Sequence, residues 1–167
     1  MTQEKRPDPL PHLRAVAAAL AEGGQPGATF AALDRAMAGA FGHKLFTILV
    51  YHPGTRESER FYSSMPREYP VGGRKPFNQT FWAQQVLIEH RPFIGRSAAD
   101  IKSVFYDHEL IHALGCDAVI NIPVVHDKRL LGTINVLNEA GWFDDSDIPL
   151  GLTFAALAIP AYRMISE

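Results

Sequence analysis

Apolar residues recur with two different periods along this chain of 167 residues, and the change of period separates helices from strands. Between residues 10 and 20 the apolar positions follow the spacing of one helix face, and Gly23-Gly24 predicts where that helix ends. A second helix is predicted from about Thr29 to Gly42. The chain therefore opens with two amphipathic helices.

Two strands follow. Lys44 to Tyr51 is apolar at both alternating sets of positions, which predicts a central strand covered on both faces. Pro53-Gly54 is a turn signal, and the more polar segment from Glu57 to Ser63 is predicted to return beside the first strand.

The middle of the chain has a weaker pattern. Residues 64–78 contain three prolines and two glycines and are predicted to be a loop. Asn78 is the predicted cap of a short helix reaching Leu87. The remaining elements predicted here are a short strand at Pro92 to Gly95 and two short helices, Ala98 to Phe105 and Asp107 to Leu114.

The C-terminal part gives the strongest pattern. Two runs rich in β-branched residues, Ala118 to Val125 and Leu130 to Leu137, flank a short polar connector and predict an antiparallel hairpin. A final apolar helix is predicted from about Asp145 to Tyr162. The order of elements predicts an α+β fold in a single domain.

Several motifs of this region together resemble the GAF family. They are Gly115 before the first hairpin strand, Ile-Pro-Val at 122–124, Leu-Gly-Thr at 131–133, and Phe143 four residues before Asp147. The resemblance implies an antiparallel sheet with terminal helices on one face and a lid of loops and short helices on the other. It covers residues 10–167, after a leader, residues 1–9, that we expect to be flexible.

In GAF domains a small ligand commonly lies between the sheet and the lid segment, here Phe93 to Leu114. A two-residue turn at Asp127-Lys128 would place Ile120 and Asn135 on the lid face and Asn121 on the opposite face. The predicted ligand-binding residues are Phe105, Tyr106 and Leu110 from the lid and Ile120, Ile122, Thr133 and Asn135 from the hairpin. For the aliphatic members, core packing is the competing interpretation.

A second motif indicates a different chemistry. Residues 108–112 read His-Glu-Leu-Ile-His, the H-E-x-x-H pattern of zinc peptidases, in which His108 and His112 would bind zinc and Glu109 would act as general base. The longer form of the pattern requires a third ligand at position 118, which is Ala118. A zinc hydrolase is therefore an alternative, against the interpretation of both histidines as polar residues of a lid helix.

The chain lacks the residues that specialised GAF branches use to hold a nucleotide or a chromophore or to run thiol chemistry, so no cofactor is predicted. The cyclic-nucleotide pattern lacks its Lys and its final Glu, because Glu139 and Ile148 occupy those positions. Tyr106 stands where bilin-binding members carry their cysteine. Cys116 is the only cysteine, so the several thiols of the methionine-sulfoxide reductases are missing.

The composition of the chain indicates which classes of binding partner are unfavoured and where the protein is located. Charged residues make up 20% of the chain and the net charge is −2, which favours neither nucleic acid nor an anionic membrane. The single cysteine and the absence of an apolar signal core predict a cytoplasmic protein.

The last helix is apolar nearly all round, which favours a homodimer formed through the first and last helices over a monomer in which these two helices pack together. The leading hypothesis is a non-enzymatic sensor for signal transduction that binds a small molecule and acts through a partner or as a dimer. The zinc hydrolase and a dimeric scaffold without ligand are the alternatives.

Overall fold

The computed structural model describes residues 6–165. Its helices are α1 (Leu10–Ala19), α2 (Gly27–Ala40), α3 (Phe81–Ala83, continued by a π-helical turn, Gln84–Ile88), α4 (Ala98–Val104), α5 (His108–Ala113) and α6 (Ile148–Ile165, preceded by a 3-10 turn, Asp145–Asp147). Its strands are β1 (Leu45–His52), β2 (Glu57–Ser63), β3 (Arg74–Pro76), β4 (Phe93–Gly95), β5 (Ala118–His126) and β6 (Arg129–Asn138).

The strands form a six-stranded sheet in the order β3-β2-β1-β6-β5-β4, in which every neighbouring pair is antiparallel. The predicted α+β class is therefore confirmed. The hairpin of β5 and β6 has the expected two-residue turn, because Asp127 and Lys128 both adopt positive φ, 51° and 61°, as tight hairpin turns require.

One face of the sheet packs against the terminal helices α1, α2 and α6, as predicted. The largest fully buried side chains of this helix face include Phe30, Phe46, Ile120, Phe154 and Tyr162. The Tyr162 hydroxyl donates a hydrogen bond of 2.9 Å to the backbone oxygen of Thr133, which ties α6 to β6.

Helix α6 is unusually apolar. The segment Asp145–Ile165 is long and apolar enough, by length and composition, to cross a membrane, with a mean hydropathy of 1.5. In the structure it buries Gly151, Phe154 and Ala158 against the sheet. These contacts make the inward side of α6 part of the hydrophobic core.

The opposite face of the sheet, the lid face, is covered by residues 64–117. The covering layer of this lid consists of α3, α4 and α5 with their loops, while its strands β3 and β4 form the two edges of the sheet. Ile101 and Ile111 of the lid pack in one cluster with Leu45, Val119 and Leu137 of the sheet. The second layer expected from the sequence is therefore present.

Two details of the lid differ from the sequence prediction. The predicted loop at 64–78 contains the edge strand β3, whose three residues are too few to show alternation. The cap of α3 is Thr80 and not Asn78, because the Thr80 hydroxyl accepts a hydrogen bond from the Ala83 backbone N–H at 3.1 Å.

The expected flexible leader falls partly outside the described residues, which begin at Arg6. The Arg6 guanidinium donates to Asp147 Oδ1 at 3.1 Å and to the backbone oxygens of Phe41 and Trp142. Arg6 therefore contacts both the end of α2 and the start of α6.

Candidate functional site

A row of hydrogen-bonded polar side chains crosses the centre of the lid face. Trp82 Nε1 donates to Asn121 Oδ1 at 3.0 Å, Asn121 Nδ2 donates to Asn135 Oδ1 at 2.7 Å, and Asn135 Nδ2 donates to Thr47 Oγ1 at 3.1 Å. We call these four side chains the polar ladder. Both asparagines and Thr47 are at most 4% exposed, so the ladder lies inside the domain.

A β-bulge places the two asparagines side by side. The register of β5 and β6 shifts between Val124 and Val125, which leaves Leu131 as the extra residue of β6. Asn121 therefore lies directly opposite Asn135, and both point towards the lid.

The predicted face assignment of the hairpin is consequently wrong for three residues. The prediction of a two-residue turn was correct, but the prediction assumed regular pairing beyond the turn and did not include the bulge. Ile120 and Ile122 belong to the helix-face core, and Asn121, which was expected on the helix face, belongs to the lid face.

Four charged or phenolic side chains form an ionic cluster at the end of the polar ladder nearest β2. Tyr69 donates its hydroxyl to Asp107 Oδ2 at 2.7 Å, and the same oxygen lies 3.7 Å from Arg60 Nη2 and 3.9 Å from Lys75 Nζ. The Arg60 guanidinium stacks on the Tyr69 ring, 3.6 Å from its centroid. Two cations thus share one carboxylate oxygen.

A second bulge places Arg60 in this cluster. The pairing of β1 with β2 shifts between Ile48 and Leu49, so that Phe61 is the extra residue and Arg60 lies opposite Leu49. Leu49 faces the lid, and Arg60 therefore does so too. Phe61 instead packs edge-on against Phe30 of α2, on the helix face.

Burial changes the acidity of two members of the ionic cluster. Burial, with the hydrogen bond to Asp107, raises the pKa of Tyr69 well above its usual range. Burial lowers the pKa of Lys75, and the nearby Asp107 carboxylate only partly opposes that effect. Tyr69 is therefore a neutral donor, and the charge on Lys75 is held at a desolvation cost.

Two adjoining cavities lie between these side chains and the lid. The inner chamber, of about 40 Å³, is lined by both sheet and lid residues, namely Thr47, Leu49, Arg60, Tyr69, Lys75, Phe105, Ile111, Val119, Asn121, Asn135 and Leu137. The outer chamber, of about 160 Å³, shares Leu49, Lys75 and Phe105 with it and is otherwise lined mainly by Pro76, Phe77, Trp82, Leu87, Val104 and Tyr106.

Polar atoms without partners occur around these chambers. Among residues 6–165, Arg60 Nε, Asp107 Oδ1 and Thr133 Oγ1 are buried and have no hydrogen-bond partner within the protein. A buried polar atom left without a partner costs about 1–3 kcal/mol. Two of the three belong to the ionic cluster.

The structure brings together some of the predicted site residues and separates others. Phe105 lines both chambers, Tyr106 lines the outer one, and Asn135 lines the inner one. Thr133 lies on the lid face without lining either chamber. Leu110 is 42% exposed on the outside of α5, and Ile111 occupies the inward position expected for it.

Sequence reasoning identified none of the four residues of the ionic cluster as site residues. Arg60, Tyr69, Lys75 and Asp107 come from four separate segments, and no spacing in the chain relates them. Asn121 was identified but assigned to the wrong face. A signal for its true position exists, since Gly132 lies inside a strand, where glycine often marks a bulge.

The His-Glu-Leu-Ile-His motif lies on α5, a helix of six residues. His108, Glu109 and His112 border an open depression of about 380 Å³ on the outside of the lid, and His112 Nδ1 lies 2.6 Å from Asp117 Oδ1. Within residues 6–165 no group of three or more His, Cys, Asp or Glu side chains is placed to hold a metal ion. The arrangement has two of the three protein ligands that a catalytic zinc requires.

Cys116 is fully buried between α5 and β5. Burial raises the pKa of its thiol to about 11. A protonated, enclosed thiol is neither a nucleophile nor a metal ligand at neutral pH.

Taken together, an antiparallel sheet carries terminal helices on one face and, on the other, a lid over a small polar-ended pocket. This is the GAF fold. It is shared, at a TM-score of 0.74, with the GAF domain of an Acinetobacter phosphoenolpyruvate-protein phosphotransferase, at 12% identity over 93% of both chains. The corresponding domain from Coxiella burnetii has a TM-score of 0.71, 16% identity and coverage of 95% of this chain and 97% of its own.

A third similar structure is the phycocyanobilin-bound GAF domain of a cyanobacterial phytochrome, with a TM-score of 0.67 and 14% identity over 97% of this chain and 96% of its own. No family model matches the sequence, and no curated protein does. At these identities the likeness establishes the fold.

Proposed function

We propose that this domain is a non-enzymatic sensory module that binds a small molecule in the inner and outer chambers. In this proposal it acts in the cytoplasm and passes the signal on through a partner or as a homodimer. The fold supports the proposal, because domains of this fold include a phytochrome module that holds phycocyanobilin.

The observation that carries the proposal is the composition of the lid face. A sheet that is covered on both faces normally carries apolar side chains on both of them. Here its centre carries the polar ladder and the ionic cluster, with Arg60 Nε and Asp107 Oδ1 buried and unpartnered. Convergent polar groups at the end of an apolar cavity are typical of a ligand site.

Native mass spectrometry tests the proposal. The untagged protein is purified without chelator and measured intact, and the expected result is a metal-free species that carries a small organic molecule. Loss of that adduct in Phe105→Trp, which fills the space where the chambers join, would locate it in the pocket. Leu110→Trp is the matched control, because Leu110 is exposed and lines neither chamber.

One observation favours the scaffold alternative. The inner chamber has room for only about three water molecules, taking about 10–15 Å³ for each. If the protein is recovered without any adduct and Phe105→Trp leaves its spectra unchanged, the chamber is closed and the scaffold is the better description.

Native mass spectrometry also tests the alternative of a zinc hydrolase. One zinc per chain, lost in His108→Ala together with hydrolytic activity, would contradict a non-enzymatic module. The contact between His112 and Asp117 favours a structural role for this pair, in which His112 joins the end of α5 to the segment before β5.

The proposed homodimer uses the outward faces of the terminal helices. Leu10 of α1 is 58% exposed, and Leu152 and Met164 of α6 are 42% and 55% exposed. Leu152→Asp is expected to convert a dimer into a monomer in light scattering, because a carboxylate would be buried in an apolar contact. Val71→Asp, at an exposed apolar residue of the lid that is 51% exposed, is the control. A monomeric parent protein would contradict the dimer.

A further inference from the structure

The charges around the inner chamber do not balance. Arg60 and Lys75 contribute two positive charges and Asp107 one negative charge, and the side chains of Arg60 and Asp107 are each only 11% exposed. Neither cation is in close contact with the carboxylate, since both nitrogen–oxygen distances exceed 3.5 Å. One positive charge is therefore left over, at a site that is buried around Arg60 and Asp107 and partly exposed at Lys75, whose side chain is 36% exposed.

The excess charge is held in a fixed orientation. The Arg60 guanidinium is stacked on Tyr69, and its Nη1 donates to the backbone oxygen of Pro70 at 2.9 Å. Its buried Nε donates to no atom within the described residues. Lys75 lines both chambers, so its positive charge lies where they join.

The outer chamber has the opposite character. Its walls include the rings of Phe77, Trp82, Phe105 and Tyr106, with Leu87 and Val104 between them. A ligand occupying both chambers therefore meets cations at one end and an apolar surface at the other.

Resting on the proposed function, we propose that the pocket binds a small monocarboxylate with an apolar body. Its carboxylate would lie beside Arg60 and Lys75, and its aliphatic or aromatic part would occupy the outer chamber. A single negative charge matches the single excess positive charge, whereas a phosphate dianion would leave a buried negative excess. The small inner chamber also suits a planar carboxylate better than a tetrahedral group.

The desolvated ammonium of Lys75 gives secondary support. Burial lowers its pKa, and an anion bound alongside would reverse that effect. Binding of a carboxylate is therefore expected to take up protons at alkaline pH.

The test compares acids with their amides of almost equal shape. Benzoate and benzamide, then hexanoate and hexanamide, are titrated into the protein while the indole N–H signals of its two tryptophans are followed by NMR. Trp82 lines the outer chamber and donates to Asn121, whereas Trp142 donates to Phe41 O at the far end of the helix layer. The acids are expected to shift the Trp82 signal and leave the Trp142 signal in place.

The acids are expected to bind at least about tenfold more tightly than the amides, because hydrogen bonds to a charged group exceed neutral ones by about 1–1.5 kcal/mol. Lys75→Gln should weaken the acids by a similar factor and leave the amides unchanged. Arg74→Gln is the matched control, since Arg74 is the neighbouring cation but pairs with Glu57 and Glu59 and lines neither chamber.

Equal binding of acid and amide, or no effect of Lys75→Gln, would overturn the assignment of an anion while leaving the pocket as the ligand site. The carboxylate proposal would also be overturned if none of the acids shifted the indole N–H signal of Trp82. The proposed function would then still be decided separately, by the adduct and the Phe105→Trp variant in native mass spectrometry.

Discussion

Replacing Asn135 with leucine tests whether the polar ladder acts as a unit. Leucine has nearly the same shape as asparagine but cannot hydrogen-bond. The change removes the bonds of Asn135 to Asn121 and Thr47, each with a net contribution of about 1 kcal/mol, and leaves the Asn121 amide with an unpaired buried donor. We expect the free energy of unfolding to fall by about 2–4 kcal/mol.

Asn121→Leu should cost a similar amount, because it leaves both Trp82 Nε1 and Asn135 Oδ1 without their partner. In the double variant Asn121→Leu/Asn135→Leu the two amides disappear together. Replacing both partners of a buried hydrogen bond by apolar groups is far less costly than replacing one. The double variant is therefore expected to be more stable than the sum of the single effects by about 1–3 kcal/mol.

Urea unfolding of the four proteins, followed by far-UV circular dichroism, measures this coupling, provided that the slope with urea concentration stays constant. Thr153→Ala, at an exposed residue of α6, should add to either asparagine change without coupling. Additive effects of the two asparagine changes, within about 0.5 kcal/mol, would refute the ladder as a cooperative unit.

Three further predictions concern the rest of the domain. Gly132→Ala should lower the free energy of unfolding, measured in urea, by more than about 3 kcal/mol, because the added Cβ would lie 2.0 Å from the backbone oxygen of Leu49. Gly73→Ala is the control and should leave the stability unchanged, because a Cβ at that position would lie in open space. The Cys116 thiol is buried and its pKa is raised to about 11. It should therefore react with a disulfide reagent at pH 8 only as fast as the domain unfolds. A reaction within seconds in the absence of denaturant would contradict this prediction. The stability should fall as the pH rises above about 10, because the folded-state pKa of three tyrosines is raised above the unfolded value and their contribution is lost through that range. One lysine with a lowered pKa acts in the opposite direction. A flat profile of stability from pH 9 to 11.5 would refute the assignment. The tyrosines are Tyr62, Tyr69 and Tyr162, and the lysine is Lys75.

Sequence patterns were sufficient for the layers of the fold. The spacing of apolar residues in α1 and α2 and the two runs of β5 and β6 depend on local periodicity, which burial on one or two faces imposes directly. The edge strand β3 was missed, since three residues, two of them exposed, bury too little to leave a pattern.

The candidate site was only partly predictable. Phe105 and Asn135 were identified because a covered sheet and a lid imply residues between them. Arg60 and Asp107 meet across 47 residues of sequence, and their contact depends on the path of the lid, which no local pattern encodes. The two bulges, at Phe61 and Leu131, decide which side chains face the chambers, and a strict alternation of faces cannot anticipate them.

These bulges mean that each of the two strands can lose one residue without a change in the chemistry of the pocket. Leu131 and Phe61 are the extra residues, so deleting either would restore regular pairing and leave Asn121 opposite Asn135 and Arg60 opposite Leu49, on the lid face. The ladder and the excess cation would be kept. Among chains of this fold, a difference of one residue in strand length can therefore be absorbed by a bulge, and a ligand contact should be transferred between two such chains only after their bulges have been aligned.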